Sequence, residues 1–486
     1  MLEVNAHNHL KKVLDSDACA WHHSLTLSRL VGRSLRRGDN SLFQLDIDKS
    51  DSFLLSLLIP LCIDPSGAVL ILSDQEKRDL FECELPRLID KGFHLSFYEG
   101  SSPPSTQEVW ILDHFGFCNA FKNGMIRDRQ LIVPSADLLI PFLRKAMAFK
   151  IRSSDWEELR QDNFGNDSLI LKFYEQLTRK LFRQPVRSGL QKRIESSDMK
   201  HLIDLLQRID APSPPWSSVL EISNVLANWT SWGEINHPNQ NLAWQWYWQP
   251  LEPLSDFQGL FEHCSMLMLS RSLRNQILLS QLDSIGFPLK VNVTLRGHNH
   301  LDPLLLFLPY GQPLPNDKNF LGHLLEVSRR LIFRRYGLTI VFLDDASLGL
   351  QLASALAAEF GKRIVFEEIS LAPNGVICCS CKWWLLHQDQ LPNPDQIIFT
   401  SIPFPSLESP LIAAKVDMLK QQGRDWFREF LLPEALMMIS NVILGVQQRG
   451  SLRVAILDGR VRVRSWGLDV LRSLEPWAEL DRLMPH

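Results

Sequence analysis

The 486-residue chain has no run of about 18 consecutive apolar residues, so a membrane-spanning helix is not expected. The segment Met1 to Lys12 lacks the apolar core and small-residue cleavage site of a secretory signal, and a cytoplasmic protein is expected. Paired cysteine spacing is also missing. Cys19, Cys62, Cys83, Cys118 and Cys264 are scattered, and Cys378, Cys379 and Cys381 cluster without a Cys-x-x-Cys step, which argues against disulfides and against a zinc site. The pairs His7/His9, His22/His23 and His298/His300 have no partners at metal-ligand spacing, so no metal site is expected. Charge of one sign is lacking too: 51 Lys and Arg stand against 55 Asp and Glu, a net charge of −4. That balance neither supports nor excludes a nucleic-acid partner, because positive charge can be confined to one cleft. There is no short-period repeat and no low-complexity tract.

What is present is an ordinary globular composition, 45% hydrophobic and 22% charged, long enough for two or three domains. Apolar strands are predicted at Ala68–Leu72, Val109–Leu112 and Gln130–Val133, with helices at Leu25–Arg36, Phe53–Cys62 and Gln75–Leu88. Strand alternating with helix is the grammar of a parallel α/β sheet. From Asp155 the pattern turns helical, with Ile170, Phe173, Leu177 and Leu181 on one face, until Pro212, Pro214 and Pro215 break it. Past Gly286 the α/β rhythm returns, with strands expected at Leu304–Leu308, Leu338–Leu343, Ile364–Glu367, Gly375–Cys379, Gln396–Thr400 and Arg453–Leu457.

The last ninety or so residues carry a succession of short motifs: Ile402-Pro-Phe-Pro405, Ser409-Pro410, Asp425 to Phe430, Leu432-Pro-Glu-Ala435, Leu457-Asp-Gly-Arg460 and Trp466-Gly467. In order and spacing this resembles the C-terminal motor domain of DinG/XPD-type superfamily 2 DNA helicases. The resemblance extends more faintly to Leu42–Pro60, where such helicases carry the P-loop, and to Val109–Asp113, read as the strand that ends in DEAH. Leu269 to Leu273 falls where the family has TSATL. The fold implied is α/β, with two RecA-like P-loop NTPase-type domains and an arch-like insertion in the first. The expected boundaries are residues 1–150 for the first part of domain 1, 151–245 for a mainly helical insertion, 246–275 for the end of domain 1, and 276–486 for domain 2.

Read as chemistry, the motor parts fail together. A P-loop needs glycines to cradle phosphate, a lysine for the β- and γ-phosphates, and a hydroxyl for Mg²⁺. Aligned backward from Pro60, the chain offers Asp48, Lys49, Ser50, Asp51, Ser52, Phe53 and Leu54, with Phe53 at the lysine position, Leu54 at the hydroxyl position, no glycine and two carboxylates. In the Walker B position Asp113 survives as a metal-binding acid, but His114-Phe115-Gly116 replaces the water-orienting glutamate and its neighbours. The arginine fingers that the resemblance implies fall on Gly445 and Gln448, leaving Arg449 as a displaced finger, and the family's FWEGxD stretch reads Leu385 to Gln390. No cofactor is therefore expected, with Mg-ATP bound only if the motor still works. The region that holds an iron–sulfur cluster in many relatives has only Cys62 and Cys83, so no cluster is expected either.

Two further patterns stand out. Trp244, Trp246 and Trp248 alternate, so three indoles share one strand face, read as a core face with a base-stacking platform as the alternative. Arg29, Arg33, Arg36 and Arg37 recur at helical spacing, either as a solvated face or as phosphate contacts. Three functional readings remain open. The first is a helicase-family protein that binds single-stranded or forked DNA with its ATPase lost. The second is an active, divergent 5′→3′ DNA helicase, and the third a protein-interaction scaffold that binds no nucleic acid.

Overall fold

The structure is a computed structural model that describes residues 2–14, 21–47, 53–65, 67–183, 191–209, 213–235, 244–271, 276–296, 303–333, 337–370, 372, 374–447 and 452–480. These form two compact units. The first takes the described residues up to Arg296 and again Ser406–Trp426; the second takes those between Gly297 and Pro405 and from Phe427 on.

The first unit opens with two helices, α1 (Leu2–Leu14) and α2 (Ser24–Arg37), followed by β1 (Ser41–Leu45) and α3 (Leu54–Ile63). The chain then alternates through β2 (Ala68–Ile71), α4 (Asp74–Asp79), α5 (Leu85–Asp90), β3 (Phe97–Tyr98), β4 (Val109–Leu112), α6 (His114–Lys122), β5 (Gln130–Val133) and α7 (Leu139–Met147). Strands β2 and β4 are buried along their whole length. A strand covered by helices on both faces must be apolar at every position, which is why these segments read as continuous apolar runs and not as alternating ones.

The chain next builds a separate layer from β6 (Phe149–Ile151), α8 (Ser153–Asp162), α9 (Asp167–Leu181), β7 (Gln191–Ile194), α10 (Ser196–Ile209), α11 (Trp216–Glu221), β8 (Trp229–Ile235) and β9 (Trp244–Pro250). Its strands form a four-stranded antiparallel sheet in the order β6-β9-β8-β7. The segment expected to be mainly helical over 151–245 does hold more helix than strand, but it also carries this sheet, whose strands begin at Phe149 and end at Pro250. Trp244, Trp246 and Trp248 point into its core, each at most 2% exposed, and Trp246 stacks parallel to Trp156 at 6.5 Å. No indole of this trio is available to bases.

The main sheet is completed by β10 (Met266–Ser270), α12 (Gln276–Ser284) and β11 (Val291–Leu295), giving the order β11-β1-β10-β5-β2-β4-β3 with every pair parallel. The boundary expected at 275/276 is therefore too early. β11 pairs with β1 from Ser41–Val291 to Leu45–Leu295, and Leu278 and Leu282 of α12 sit in the same core as Phe257 and Leu131.

The second unit holds β12 (Leu304–Phe307), α13 (Phe320–Ile332), β13 (Leu338–Phe342), α14 (Ala346–Phe360), β14 (Ile364–Phe366), β15 (Val376–Cys379), α15 (Cys381–His387) and β16 (Pro394–Phe399). After an excursion through α16 (Pro410–Gln421) it continues with α17 (Leu432–Gln447), β17 (Arg453–Ile456), α18 (Arg460–Val463), α19 (Gly467–Ser473) and β18 (Trp477–Glu479). Its sheet runs β14-β15-β13-β16-β17-β12-β18, again parallel throughout. All six strands expected past Gly286 are found. Among the described residues, no helix is long and apolar enough to cross a membrane.

Helix α16 lies on the antiparallel sheet of the first unit. Two ion pairs hold it there, Lys415 with Glu252 and Asp417 with Arg193. Lys415 is 9% exposed, and burial holds its ammonium below the usual lysine range although Glu252 and its hydrogen bond pull the other way. Sequence reading placed this segment inside domain 2, because its neighbours on both sides belong there.

Candidate nucleotide crevice of the first domain

In a parallel α/β sheet, ligands gather beyond the carboxyl ends of the strands. At the end of β1 the positions Asp48, Ser50 and Ser52 of the degenerate P-loop lie outside the described residues, as does Arg449 in the other unit. Phe53 and Leu54 are described. Phe53 takes the N-cap position of α3, and its ring is 1% exposed, sunk into the cluster that includes Leu57, Leu58 and Phe43. Leu54 is half-buried against the same cluster.

Arg271 follows β10, the strand beside β1. Its guanidinium lies over the Phe53 ring, 5.2 Å from the centre. The Arg271 backbone N–H donates to the Asp137 carboxylate at 3.3 Å, and Asp137 follows β5, the next strand over. Burial pushes the Asp137 carboxyl above its ordinary range, opposed by its backbone hydrogen bonds and by the Arg271 charge. Three adjacent strands thus bring together an aromatic ring, a guanidinium and a half-buried acid.

Asp113 is not part of this group. It ends β4, which is separated from β1 by β10, β5 and β2, so four strand spacings, about 19 Å, lie between them. Its carboxylate caps α6 by accepting the Gly116 N–H at 2.5 Å. The expectation that Asp113 serves the same nucleotide as residues 48–54 fails on this geometry: one Mg²⁺ cannot touch Asp113 and a triphosphate at the end of β1. Two residues that sequence reading missed, Asp137 and Arg271, stand beside Phe53 instead. The available signal for Asp137 was the acid shortly after the apolar strand Leu131-Ile-Val133, but two strands end close to an acid and only the sheet order chooses between them.

Beside Asp113 a cavity of about 270 Å³ is lined by Ser73, Asp74, His114, Phe142 and Lys145 among others. His114 is 8% exposed, its ring 4.8 Å from that of Phe142, and burial depresses its pKa against the pull of Glu76, Asp113 and Asp74. Glu76 closes a capping box with Ser73 and accepts the Ser135 hydroxyl at 2.5 Å, so it is fully engaged in structure.

In the second unit, the motifs that are easiest to read hold one another. Asp458 is fully buried and accepts the N–H of Ile402 at 3.0 Å, together with the N–H and guanidinium of Arg460 at 3.0 and 2.7 Å. Arg460 lies over the Phe404 ring at 5.3 Å, and Phe404 meets Trp466 edge-on at 5.3 Å. Gly459 and Gly467 are glycine for close approach: a Cβ on Gly459 would come within 2.6 Å of the Gln312 carbonyl oxygen, and one on Gly467 would overlap the Val461 carbonyl. These motifs are a packing knot of backbone, acid and aromatics.

No protein-family model matches the chain. Over 190 residues it is 26% identical to a protein described as ATP-dependent DNA helicase YoaA of Haemophilus influenzae, a match that takes in 36% of this chain and 29% of that relative. The matched region is thus under a third of the relative's length. An XPD helicase superposes with a TM-score of 0.57 at 12% identity, covering 95% of this chain and 100% of the other. The Xpd4 of S. tokodaii gives 0.55 at 10% identity, with 92% and 97% covered. The fold is that of two RecA-like α/β domains with an insertion in the first. The chain is thus similar in fold to XPD helicases, and over part of its sequence to a protein described as a DNA helicase.

Proposed function

We propose that the protein keeps the DinG/XPD-type scaffold to bind nucleic acid and has lost the ATP-driven motor. The observation that supports this most directly is Phe53. A P-loop presents an ammonium and a ring of N–H donors to a triphosphate. Here the lysine position is an aromatic ring buried in the core, covered by Arg271, and it offers no donor. Asp113 caps a helix four strands away, too far to hold an ion at this position, and Asp137, the acid that does lie beside it, accepts the Arg271 N–H. Neither Mg-ATP nor an iron–sulfur cluster enters this reading. Binding of single-stranded or forked DNA rests on the likeness to a protein described as a DNA helicase.

A second reading, a protein-interaction scaffold, is favoured by the acids Asp74 and Asp113 on the rim of the first domain, where a phosphate backbone would be repelled. The test is calorimetry with Mg-ATP, with and without single-stranded DNA, alongside a phosphate-release assay and a DNA mobility shift. No nucleotide binding with a DNA shift is the expected result. DNA-stimulated turnover would overturn the loss of the motor and make this an active divergent helicase, and absence of both nucleotide and DNA binding would leave the scaffold.

A further inference from the structure

Helices α1 and α2 pack on each other and on α3 through Ala6, Leu10, Val13, Leu27, Val31 and Leu35, none more than 4% exposed. The outward edge of α2 is left uncovered by this contact. It forms one side of a groove of about 520 Å³ whose lining includes Val4, Leu30 and the arginines at 29, 33, 36 and 37. Those four positions step by four, three and one residues, so the guanidinium groups rise along one stripe about 12 Å long.

The four arginines are not equivalent. Arg36 is bonded to Glu3 at 2.6 Å and Arg37 to Asp39 at 3.3 Å. Arg29 and Arg33 are exposed and, among the described residues, form no ion pair. Leu30 lies between them in the chain, half-buried, and Val4 is 49% exposed on the facing helix. Two unpaired guanidinium groups therefore stand beside an apolar floor, in a protein whose net charge is −4.

We propose that this groove docks an acidic segment of a partner protein, with carboxylates meeting Arg29 and Arg33 and an apolar side chain seated on Leu30 and Val4. The arginine fork matches a carboxylate in two parallel hydrogen bonds, and the four-residue step between Arg29 and Arg33 matches the step between acids on one face of a helix. A nucleic acid fits less well. The lining has no aromatic ring on which a base can stack, and Glu3 sits on the groove wall. An apolar floor is covered only by a ligand that brings apolar surface of its own.

The test uses the full chain and fluorescence anisotropy with a labelled amphipathic peptide that carries glutamates at four-residue spacing and leucines on the adjoining face. A thymidine oligonucleotide serves as the second probe. The peptide should bind the wild type, and Arg29→Glu with Arg33→Glu should weaken it at least about tenfold, with the oligonucleotide affinity unchanged. Val4→Asp, or serine in place of the peptide's leucines, should weaken it by a smaller factor. Arg29→Ala with Arg33→Ala gives a milder pair should charge reversal perturb folding, and Arg179→Glu, on a distant exposed helix face, should leave binding unchanged. Absence of peptide binding, peptide binding indifferent to Arg29 and Arg33, or a loss confined to the oligonucleotide would each overturn the proposal.

Discussion

Arg271 lies over the ring of Phe53, its guanidinium carbon 5.2 Å from the ring centre, so the end of β1 is closed by a cation–π contact where a nucleotide-binding loop needs open donors. Because Phe53 is also a core residue, the change that looks like a repair is a lesion. Phe53→Lys should yield no ATP hydrolysis, since no glycine returns with it, and should destabilise the first unit by burying an ammonium. Phe53→Ala should cost about 3–5 kcal/mol by leaving a cavity, and Arg271→Ala about 1 kcal/mol by removing the cation. Urea unfolding and phosphate release measure both effects. A gain of turnover in Phe53→Lys would refute this account.

His114 makes the first unit acid-sensitive. Its folded pKa lies below the ordinary value of 6.5 because burial disfavours the imidazolium. The unfolded chain therefore takes up a proton near pH 6.5 while the folded chain does not. Stability contributed by the neutral ring is present above that pH, declines as pH falls toward the folded pKa, and levels off below it. His114→Gln should flatten this part of the profile. Urea midpoints at stepped pH for wild type and variant check the sign, and identical slopes would show that other groups carry the effect.

The pair Lys415–Glu252 fastens α16 to the first unit from a nearly solvent-free position. Removing one partner leaves a buried charge alone. Lys415→Ala or Glu252→Ala should each cost about 3–5 kcal/mol, while Lys415→Met combined with Glu252→Leu should recover most of it. Limited proteolysis across residues 406–426 should speed up in the single variants and return toward wild type in the double variant.

Gly467→Ala should be among the most damaging conservative changes in the second unit, because its Cβ would overlap the Val461 carbonyl and backbone must move. A loss of about 3 kcal/mol is expected, with Gly423→Ala as a contrast. Gly423 has open space around it and fails only through its positive φ of 70°. Thermal melts of the two variants give the comparison.

Three strands of the first sheet and six of the second were legible because strands covered on both faces must be apolar, as Ala68–Ile71, Val109–Leu112 and Val376–Cys379 show directly, whereas the edge strand β11 alternates and was not. The C-terminal motifs were legible for a related reason: Asp458, Arg460, Phe404 and the two glycines bind one another, and such mutual constraints leave a fixed pattern of residue types. Strand order left no such trace. Val109–Asp113 and Gln130–Asp137 both offer an apolar strand leading to an acid, and the nearer acid was chosen, four strands from where it was needed. In the antiparallel layer the alternating indoles of β9 were legible as one strand face, whereas β6 and β7, three and four residues long, are too short to show a pattern between their helices. The chain path through Pro410–Gln421 was illegible because nothing local to that helix says which unit its buried lysine faces.

The place of β11 governs how the protein can be divided. β11 covers one side of β1, and a chain cut after residue 275, the once-expected boundary, would expose Ser41–Leu45, five core residues with a row of unsatisfied amides and carbonyls along one side. Such a row recruits another strand, most readily the same row on a second copy. Recombinant fragments of the first half that stop at 275 should therefore precipitate or form ladders of oligomers, while those that run to 296 keep the sheet's edge where the fold put it.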